Sequence, residues 1–177
     1  NSANKAMAFA KVGLGVAGLR MLTHAVTGFM AKHTTSAMNA IETNNLFEVS
    51  FGKMAGSVEK SLTDISNGTG MTLTNLKNVS GTYNLLARSM GFNSQQASTL
   101  SVNMTKLGLD LSSLMNIPVE QVMGDLRSGL LGQSETVYKY GIDVTEASIA
   151  QEALNLGITK SIRQMSQGEK MYLRQIV

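Results

Sequence analysis

The stretch from Asn116 to Val144 constrains the fold most, because it holds a whole helix, its stop signal and the start of the next helix. Pro118 suits a first helical turn, where its missing N–H is not needed, and Gly132 suits the left-handed residue that ends many helices. Between them apolar residues recur at helical spacing: Val119, Val122, Met123, Leu126, Leu130 and Leu131. The stretch therefore predicts an amphipathic helix that packs by one stripe.

A polar linker and a glycine turn follow this helix. Residues Gln133 to Lys139 are predicted to be the linker, and Tyr140-Gly141-Ile142-Asp143 the turn. Thr145 then has a suitable side chain to cap a short helix, which Gly157 ends. The unit reads as helix, glycine stop, linker, glycine turn and helix.

Similar signals divide the chain upstream of this unit. The apolar pattern predicts a helical region from Glu42 to Asn67, broken by the glycines that follow. It also predicts a helix from Thr72 to Met90, which Gly91 ends. Short glycine-marked links of this kind are typical of helical hairpins packed in a bundle.

Two further helices complete the pattern. Ser94 is predicted to cap a helix whose apolar stripe reaches Leu114. Near the end, Ser166 and Glu169 have the spacing of a capping box, in which each side chain accepts a hydrogen bond from the other residue's backbone N–H. The first residue is Asn and not Met, and the helix that begins at Ser166 is predicted to be still running at Val177. Both ends of the chain are therefore expected to be cut.

Composition favours helices over sheets. The chain has one proline, no tryptophan and 12 methionines in 177 residues, and it is rich in Ala, Leu, Ser and Gly. With no cysteine, it has neither a disulfide framework nor a thiolate metal site. We expect an all-α fold: a long N-terminal helix followed by short helical hairpins in a bundle, as a segment of a larger elongated protein. The predicted domains are residues 1–41 and residues 42–177.

The first domain is basic and apolar, and residues 3–40 are predicted to form one long helix. Four basic residues precede the first acid of the chain: Lys5, Lys11, Arg20 and Lys32. The net charge of the whole chain is only +3, and basic and aromatic residues do not alternate in a regular pattern, so no specific nucleic-acid recognition is predicted.

Small residues in this domain would let another helix approach closely. They predict a helix–helix seam in a homo-oligomer, made by Gly13, Gly15, Ala17 and Gly18. The alternative is entry into a membrane, because Val12 to Met30 has the length of a membrane span. Arg20 and His24 near its middle argue against a plain transmembrane helix.

No combination of residues predicts catalysis, a cofactor or a metal ion. Gly13, Gly15 and Gly18 match the spacing of a dinucleotide-binding loop, but the strand before it and the acid after it are missing. His24 and His33 fall on different faces of a helix, with no carboxylate near either in sequence. The chain is therefore predicted not to be an enzyme.

Several motifs in order resemble the tape-measure proteins of bacteriophage tails and tail-like particles. In that family a helix ends in a Ser-Gly-Leu element and a second glycine, followed by a Tyr-Gly-Ile turn, a short glycine-stopped helix and a Met-Ser helix start. These elements read here as Ser128-Gly129-Leu130-Leu131-Gly132, Val137-Tyr138-Lys139-Tyr140-Gly141-Ile142, Ala153-Leu154-Asn155-Leu156-Gly157-Ile158 and Met165-Ser166 with Glu169-Lys170. Upstream, Asn45-Leu46-Phe47 and Leu107-Gly108-Leu109-Asp110-Leu111 with Asn116 extend the resemblance to about residues 42–177.

Ten structural positions carry the resemblance: Asp110, Asn116, Gly129, Gly132, Tyr140, Gly141, Ile142, Gly157, Ser166 and Glu169. The resemblance implies a structural protein that is present in several copies. Three copies are the first choice and six copies the second. These copies would lie in the tail lumen of the virion, scaffold the tail tube, set its length and leave ahead of the DNA. The implied partners are the tail tube protein, the tail tip or baseplate hub proteins and the tail assembly chaperones, met during assembly in the host cytoplasm.

A bundle of short hairpins is a poor ruler, because little of its chain length runs along one axis. This segment is therefore expected to be a folded landmark near the tail tip. The alternative function is that of a membrane-active helical protein which inserts residues 3–34 into the host membrane.

Overall fold

The computed structural model describes residues 39–177. Over this range the chain consists of helices and turns without a strand, which confirms the all-α prediction. Residues Thr43–Val177 form one compact unit. The predicted N-terminal helix lies almost wholly outside the described residues, and so does the predicted seam at Gly13, Gly15, Ala17 and Gly18.

The helices follow one another through short turns. The described part begins with α1 at residues 39–51 and continues through a 3₁₀ turn (Gly52–Met54), α2 (Ala55–Thr69), α3 (Leu73–Ser89) and α4 (Ser94–Met115). It then forms α5 (Val119–Leu130), α6 (Glu135–Tyr138), α7 (Glu146–Asn155), a 3₁₀ turn (Ile162–Gln164) and α8 (Gln167–Ile176).

Local chemistry accounts for most helix ends. The Thr72 side chain accepts a hydrogen bond from the Asn75 N–H at 3.3 Å and so caps α3. Gly91, which follows α3, has φ = +93°, as predicted for a glycine stop. The cap of α4 is Asn93 and not Ser94, because Asn93 and Gln96 exchange side-chain and backbone hydrogen bonds in a capping box.

The predicted helical region from Glu42 to Asn67 is two helices. Gly52 adopts φ = +52°, which breaks the α-helical path, and the second helix continues past Asn67 to Thr69 before Gly70 ends it. Phe47 before the break and Val58 after it are both buried. The helices on both sides of the break thus contribute side chains to one core.

The prediction of a plain linker at Gln133 to Lys139 is wrong, because residues Glu135–Tyr138 form α6. This single turn buries Val137 against α5, so tertiary packing and not local propensity maintains it. Pro118 also differs from expectation, since it precedes the first turn of α5. At the ends of the predicted stripes Leu114 is 81% exposed and Leu131 is 45% exposed.

The helices bury two apolar clusters. The larger one, the main core, runs from Phe47 in α1 to Val144 before α7, and α8 adds Met171 to it. Tyr83 belongs to this core, and its hydroxyl donates a hydrogen bond of 2.8 Å to the carbonyl oxygen of Met123. The smaller one, the C-terminal core, contains Ile149, Ala153, Met165 and Leu173.

One buried cation fastens α1 to its neighbours. Lys77 of α3 is 8% exposed, and its Nζ donates a hydrogen bond of 2.7 Å to Asn44 and lies 2.5 Å from a carboxylate oxygen of Glu59. The same Nζ lies 5.0 Å from the centre of the Phe47 ring. Because the ammonium is paired, its burial is tolerated and α1, α2 and α3 are tied together.

Candidate functional site

Gly129 lies in the last turn of α5, where α6 crosses at close range. It is buried, and a Cβ atom on it would lie 2.6 Å from Cγ1 of Val137, too close for two carbon atoms. The Thr136 hydroxyl lies 3.0 Å from the carbonyl oxygen of Asp125 in α5 and 2.8 Å from that of Gln133, so its one proton is shared between the two acceptors. Because Gly129 has no side chain, α6 can pack directly against α5.

Gly132 follows α5 and meets a side chain from the far end of the unit. Its φ is +103°, as predicted for a left-handed cap, and a Cβ atom there would lie 2.8 Å from Nη2 of Arg174. Arg174 Nη1 donates a hydrogen bond of 3.1 Å to the carbonyl oxygen of Leu130, and burial lowers the pKa of this guanidinium. The cation thus lies at the negative C-terminal end of the α5 dipole and fastens α8 to it.

Tyr140 contacts the polar side of α5. Its hydroxyl donates a hydrogen bond of 2.7 Å to Asp125, and Lys139 Nζ lies 2.6 Å from the same carboxylate. Burial opposes ionisation of Asp125, but the hydrogen bonds from Lys139 and Tyr140 outweigh it and lower the pKa of Asp125. The three side chains fix the turn that leads out of α6.

Gly141 and Asp143 shape the entry to α7. Gly141 has φ = +76°, and the next residue, Ile142, packs against the main core. Asp143 accepts hydrogen bonds from the Thr145 N–H at 3.0 Å and from the Ser148 hydroxyl at 2.5 Å, and these lower its pKa. Thr145 caps α7 as predicted, since its side chain accepts from the Ser148 N–H.

Ser166 and Glu169 form the predicted capping box at the start of α8. The Ser166 N–H donates to Glu169 at 2.6 Å, and the Glu169 N–H donates to Ser166 Oγ at 3.2 Å. Lys160 adds an ion pair of 2.8 Å, and these contacts lower the pKa of Glu169 to about 2, with the Lys160 hydrogen bond as the largest cause. Gly168 lies so close to α3 that a Cβ atom would collide with the carbonyl oxygen of Met90.

The remaining motif positions lie apart from these contacts. Asn116 ends α4 in the left-handed region at φ = +53°, and Gly157 follows α7 with φ = +73°. Asp110 is exposed on α4. Among the ten motif positions, those from Gly129 to Ile142 lie in neighbouring turns, which the last turn of α8 joins through Arg174. Ser166 and Glu169 lie at the other end of α8.

Two apolar clefts flank α8 where it lies on the rest of the unit. One has a volume of about 270 Å³ and is bordered by Phe92, Ile158 and Tyr172. The other has a volume of about 290 Å³ and is bordered by Leu107, Ile142 and the end of α8. Tyr172 is 45% exposed, so the face of α8 offers an aromatic side chain next to a cleft.

Within residues 39–177 no group of three or more His, Cys, Asp or Glu side chains is placed to bind a metal ion. In the same range, no helix combines the length and the apolar character that a membrane span requires. Sequence reasoning missed Asp125 and Arg174, because nothing local distinguishes them from other charged residues on polar helix faces.

Comparisons with models of known protein families, with curated proteins and with solved structures find no match to this chain.

Proposed function

We propose that this chain is a segment of a tail tape-measure protein, in which it forms a folded landmark near the tail tip or baseplate. The supporting observation is that motif residues recognised by their order in sequence occupy turns on which the fold depends. Gly129 leaves space for Val137, and Gly132 leaves space for Arg174. The Tyr140 hydroxyl donates a hydrogen bond to Asp125.

The shape of the described helices bears on how such a protein would work. A helix advances about 1.5 Å per residue, so a long helix converts chain length directly into distance. The longest helix in the described range, α4, has 22 residues, and the chain turns after it. In this proposal other parts of the full protein measure the length of the tail, and the unit described here docks at the tail tip.

The proposal includes the partners that the resemblance implies. Three copies, or six as the second choice, pack within the tail tube and meet the tube protein, the tip or baseplate hub proteins and the assembly chaperones. The exposed Tyr172 and the two clefts beside α8 offer apolar surface for such contacts.

The test of the family function is tail length. A deletion of about 40 residues from a long helix elsewhere in the full-length protein shortens the tail by roughly 60 Å, as electron microscopy would measure. Tails of unchanged length would contradict the proposal and favour the membrane-active alternative. Vesicle leakage caused by a peptide of residues 3–34 would then be the next measurement.

The test of the landmark function uses the unit itself. Gly129→Val in the full-length protein should reduce the number of assembled tails, because the larger side chain displaces α6. The few tails that form should keep their normal length. Gly124→Ala is the control, since no atom lies within 4 Å of the added methyl group. The folding of the Gly129→Val variant is checked by circular dichroism. If this unit is unfolded and the number of assembled tails is still normal, a docking function for the unit is contradicted.

A further inference from the structure

The cleft at the end of α8, here named the Arg174 cleft, combines an apolar wall with one cation. Its volume is about 290 Å³, and its wall includes Leu107 of α4, Leu126 of α5 and Val137 of α6. Among its described lining residues, Arg174 and Gln175 alone have polar side chains. The cleft is therefore suited to a ligand that is apolar along most of its length.

Arg174 has a hydrogen-bond donor that the fold does not use. Its Nη1 donates to the carbonyl oxygen of Leu130, whereas its Nε is buried and donates to no group in the described part of the chain. A buried donor without an acceptor costs free energy, and the cost is larger when the donor belongs to a charged group. An acceptor that reaches Nε would remove this cost.

The charge of this guanidinium is also incompletely balanced. Within residues 39–177 no carboxylate forms an ion pair with Arg174. Glu146 is near enough for its charge to act on Arg174, but it pairs with Lys170 at 3.3 Å. Two cations therefore share one carboxylate, which leaves a net charge of +1 and favours an anionic ligand.

The apolar wall limits what the anion can be attached to. A peptide would bring backbone N–H and C=O groups into the cleft, where Gln175 is the one uncharged polar side chain among the described lining residues. An aliphatic chain brings no such groups. Since a dry cavity of about 150 Å³ holds a benzene ring, the Arg174 cleft has room for roughly ten carbon atoms.

We propose that the Arg174 cleft binds a linear aliphatic carboxylate of about ten carbon atoms. The carboxylate accepts a hydrogen bond from Nε of Arg174, and the chain lies against Leu107 and Leu126. The bound ligand contacts α4, α5 and the end of α8 together, so it should stabilise the packing of α8. The other cleft beside α8, next to Tyr172, is left for protein contacts.

The test is isothermal titration calorimetry of the full chain with sodium decanoate, kept below its micelle concentration. Two ligands of the same chain length, 1-decanol and decyltrimethylammonium, separate the charge from the apolar chain. Decanoate should bind about tenfold more tightly than decanol, because its carboxylate accepts a charge-assisted hydrogen bond, and the cation should bind least. Equal affinities for decanoate and decanol, or no saturable binding of decanoate, would overturn the proposal.

Variants of the cleft locate the binding. Leu107→Trp should abolish saturable binding of decanoate by filling the cleft, and Leu114→Trp is the matched control, because Leu114 lies on the same helix and is 81% exposed. An equal affinity of these two variants for decanoate would place the site elsewhere and overturn the proposal.

Arg174→Met keeps an apolar stem without the charge, so it should weaken decanoate binding about tenfold and leave decanol binding unchanged. Circular dichroism checks that each variant is folded. Should Arg174→Met unfold, Gln175→Glu replaces it, since a carboxylate at this position repels the ligand and should also weaken binding. An undiminished affinity for decanoate in the folded variant would overturn the proposal. Tail assembly does not enter these measurements, so the ligand site and the tape-measure function can fail independently.

Discussion

Gly132 shows at the scale of one residue how a backbone angle and a distant side chain act on the same position. The left-handed φ of +103° disfavours any residue with a Cβ atom, and Arg174 occupies the space that this atom would need. The first demand comes from the end of α5, and the second comes from the packing of α8. A change of this glycine is therefore expected to disturb both elements.

Gly132→Ala should lower the free energy of unfolding by about 1–2 kcal/mol, the usual cost of a left-handed non-glycine residue. Gly124→Ala, in the middle of α5 with open space around it, should raise it by about 0.5–1 kcal/mol. Urea denaturation followed by circular dichroism would measure both changes. A shift of the same sign in the two variants would contradict this account of Gly132.

The capping box of α8 predicts a dependence of stability on pH. The pKa of Glu169 is lowered to about 2 in the folded chain, chiefly by its hydrogen bond with Lys160, so the folded state binds fewer protons than the unfolded state between that value and the ordinary pKa. The contribution of Glu169 is present at neutral pH and is lost as the pH falls toward about 2.

Glu169→Gln should therefore reduce stability at pH 7 and have a much smaller effect near pH 2. The measurement is the urea midpoint of wild type and variant across this range. Glu120→Gln serves as the control, because Glu120 forms no ion pair or side-chain hydrogen bond within residues 39–177. An equal loss at both pH values would mean that Glu169 acts through packing and not through its charge.

At the scale of the helices, the sequence predicts where a helix ends better than where a helix is broken in its middle. Gly91, Gly132 and Gly157 mark helix ends correctly, because a left-handed cap is a local requirement that glycine meets best. The sequence does not predict the break at Gly52, since the apolar stripe continues on both sides of it. Four-residue α6 was missed because only its burial against α5 stabilises it.

The candidate site was predictable only where its contacts are local. The capping box of Ser166 and Glu169 spans three residues and could be read from the sequence. The hydrogen bond from Arg174 to Leu130 spans 44 residues, and its donor and acceptor have no distinguishing sequence neighbours. The sequence predicts a glycine at 132 because the helix ends there. It does not predict that the guanidinium of Arg174 lies beside this glycine.

The close contact of α5 and α6 can be tested by enlarging the side chain at Gly129 and shortening the one at Val137. Gly129→Ala should cost about 1–3 kcal/mol, because the added methyl group overlaps the Val137 side chain. In a Val137→Ala background the same change should cost at least about 0.5 kcal/mol less. Thermal denaturation of the four proteins in this cycle measures the coupling, and strict additivity would show that the two residues do not share the space.

At the scale of the whole unit, α8 connects the two apolar clusters. Met171 is buried in the main core, and Leu173, two positions later, is buried in the C-terminal core. We therefore expect the described unit to unfold in one transition. Met171→Ala and Leu173→Ala should each lower the unfolding free energy by about 2–5 kcal/mol.

The check is to compare urea transitions followed by circular dichroism and by tyrosine fluorescence, in wild type and in both variants. Coincident curves are the expected result. An early transition confined to one probe in Leu173→Ala would show that the C-terminal core melts by itself.

The placement of α8 also has a mechanical consequence. A force that pulls on the chain at residue 177 reaches both cores through a single turn of helix, because Met171 and Leu173 are anchored on its opposite sides. We expect each anchor to resist extraction while the other one holds the helix in place. Under tension, the unit should therefore resist up to a single rupture force instead of unravelling from its end by steps.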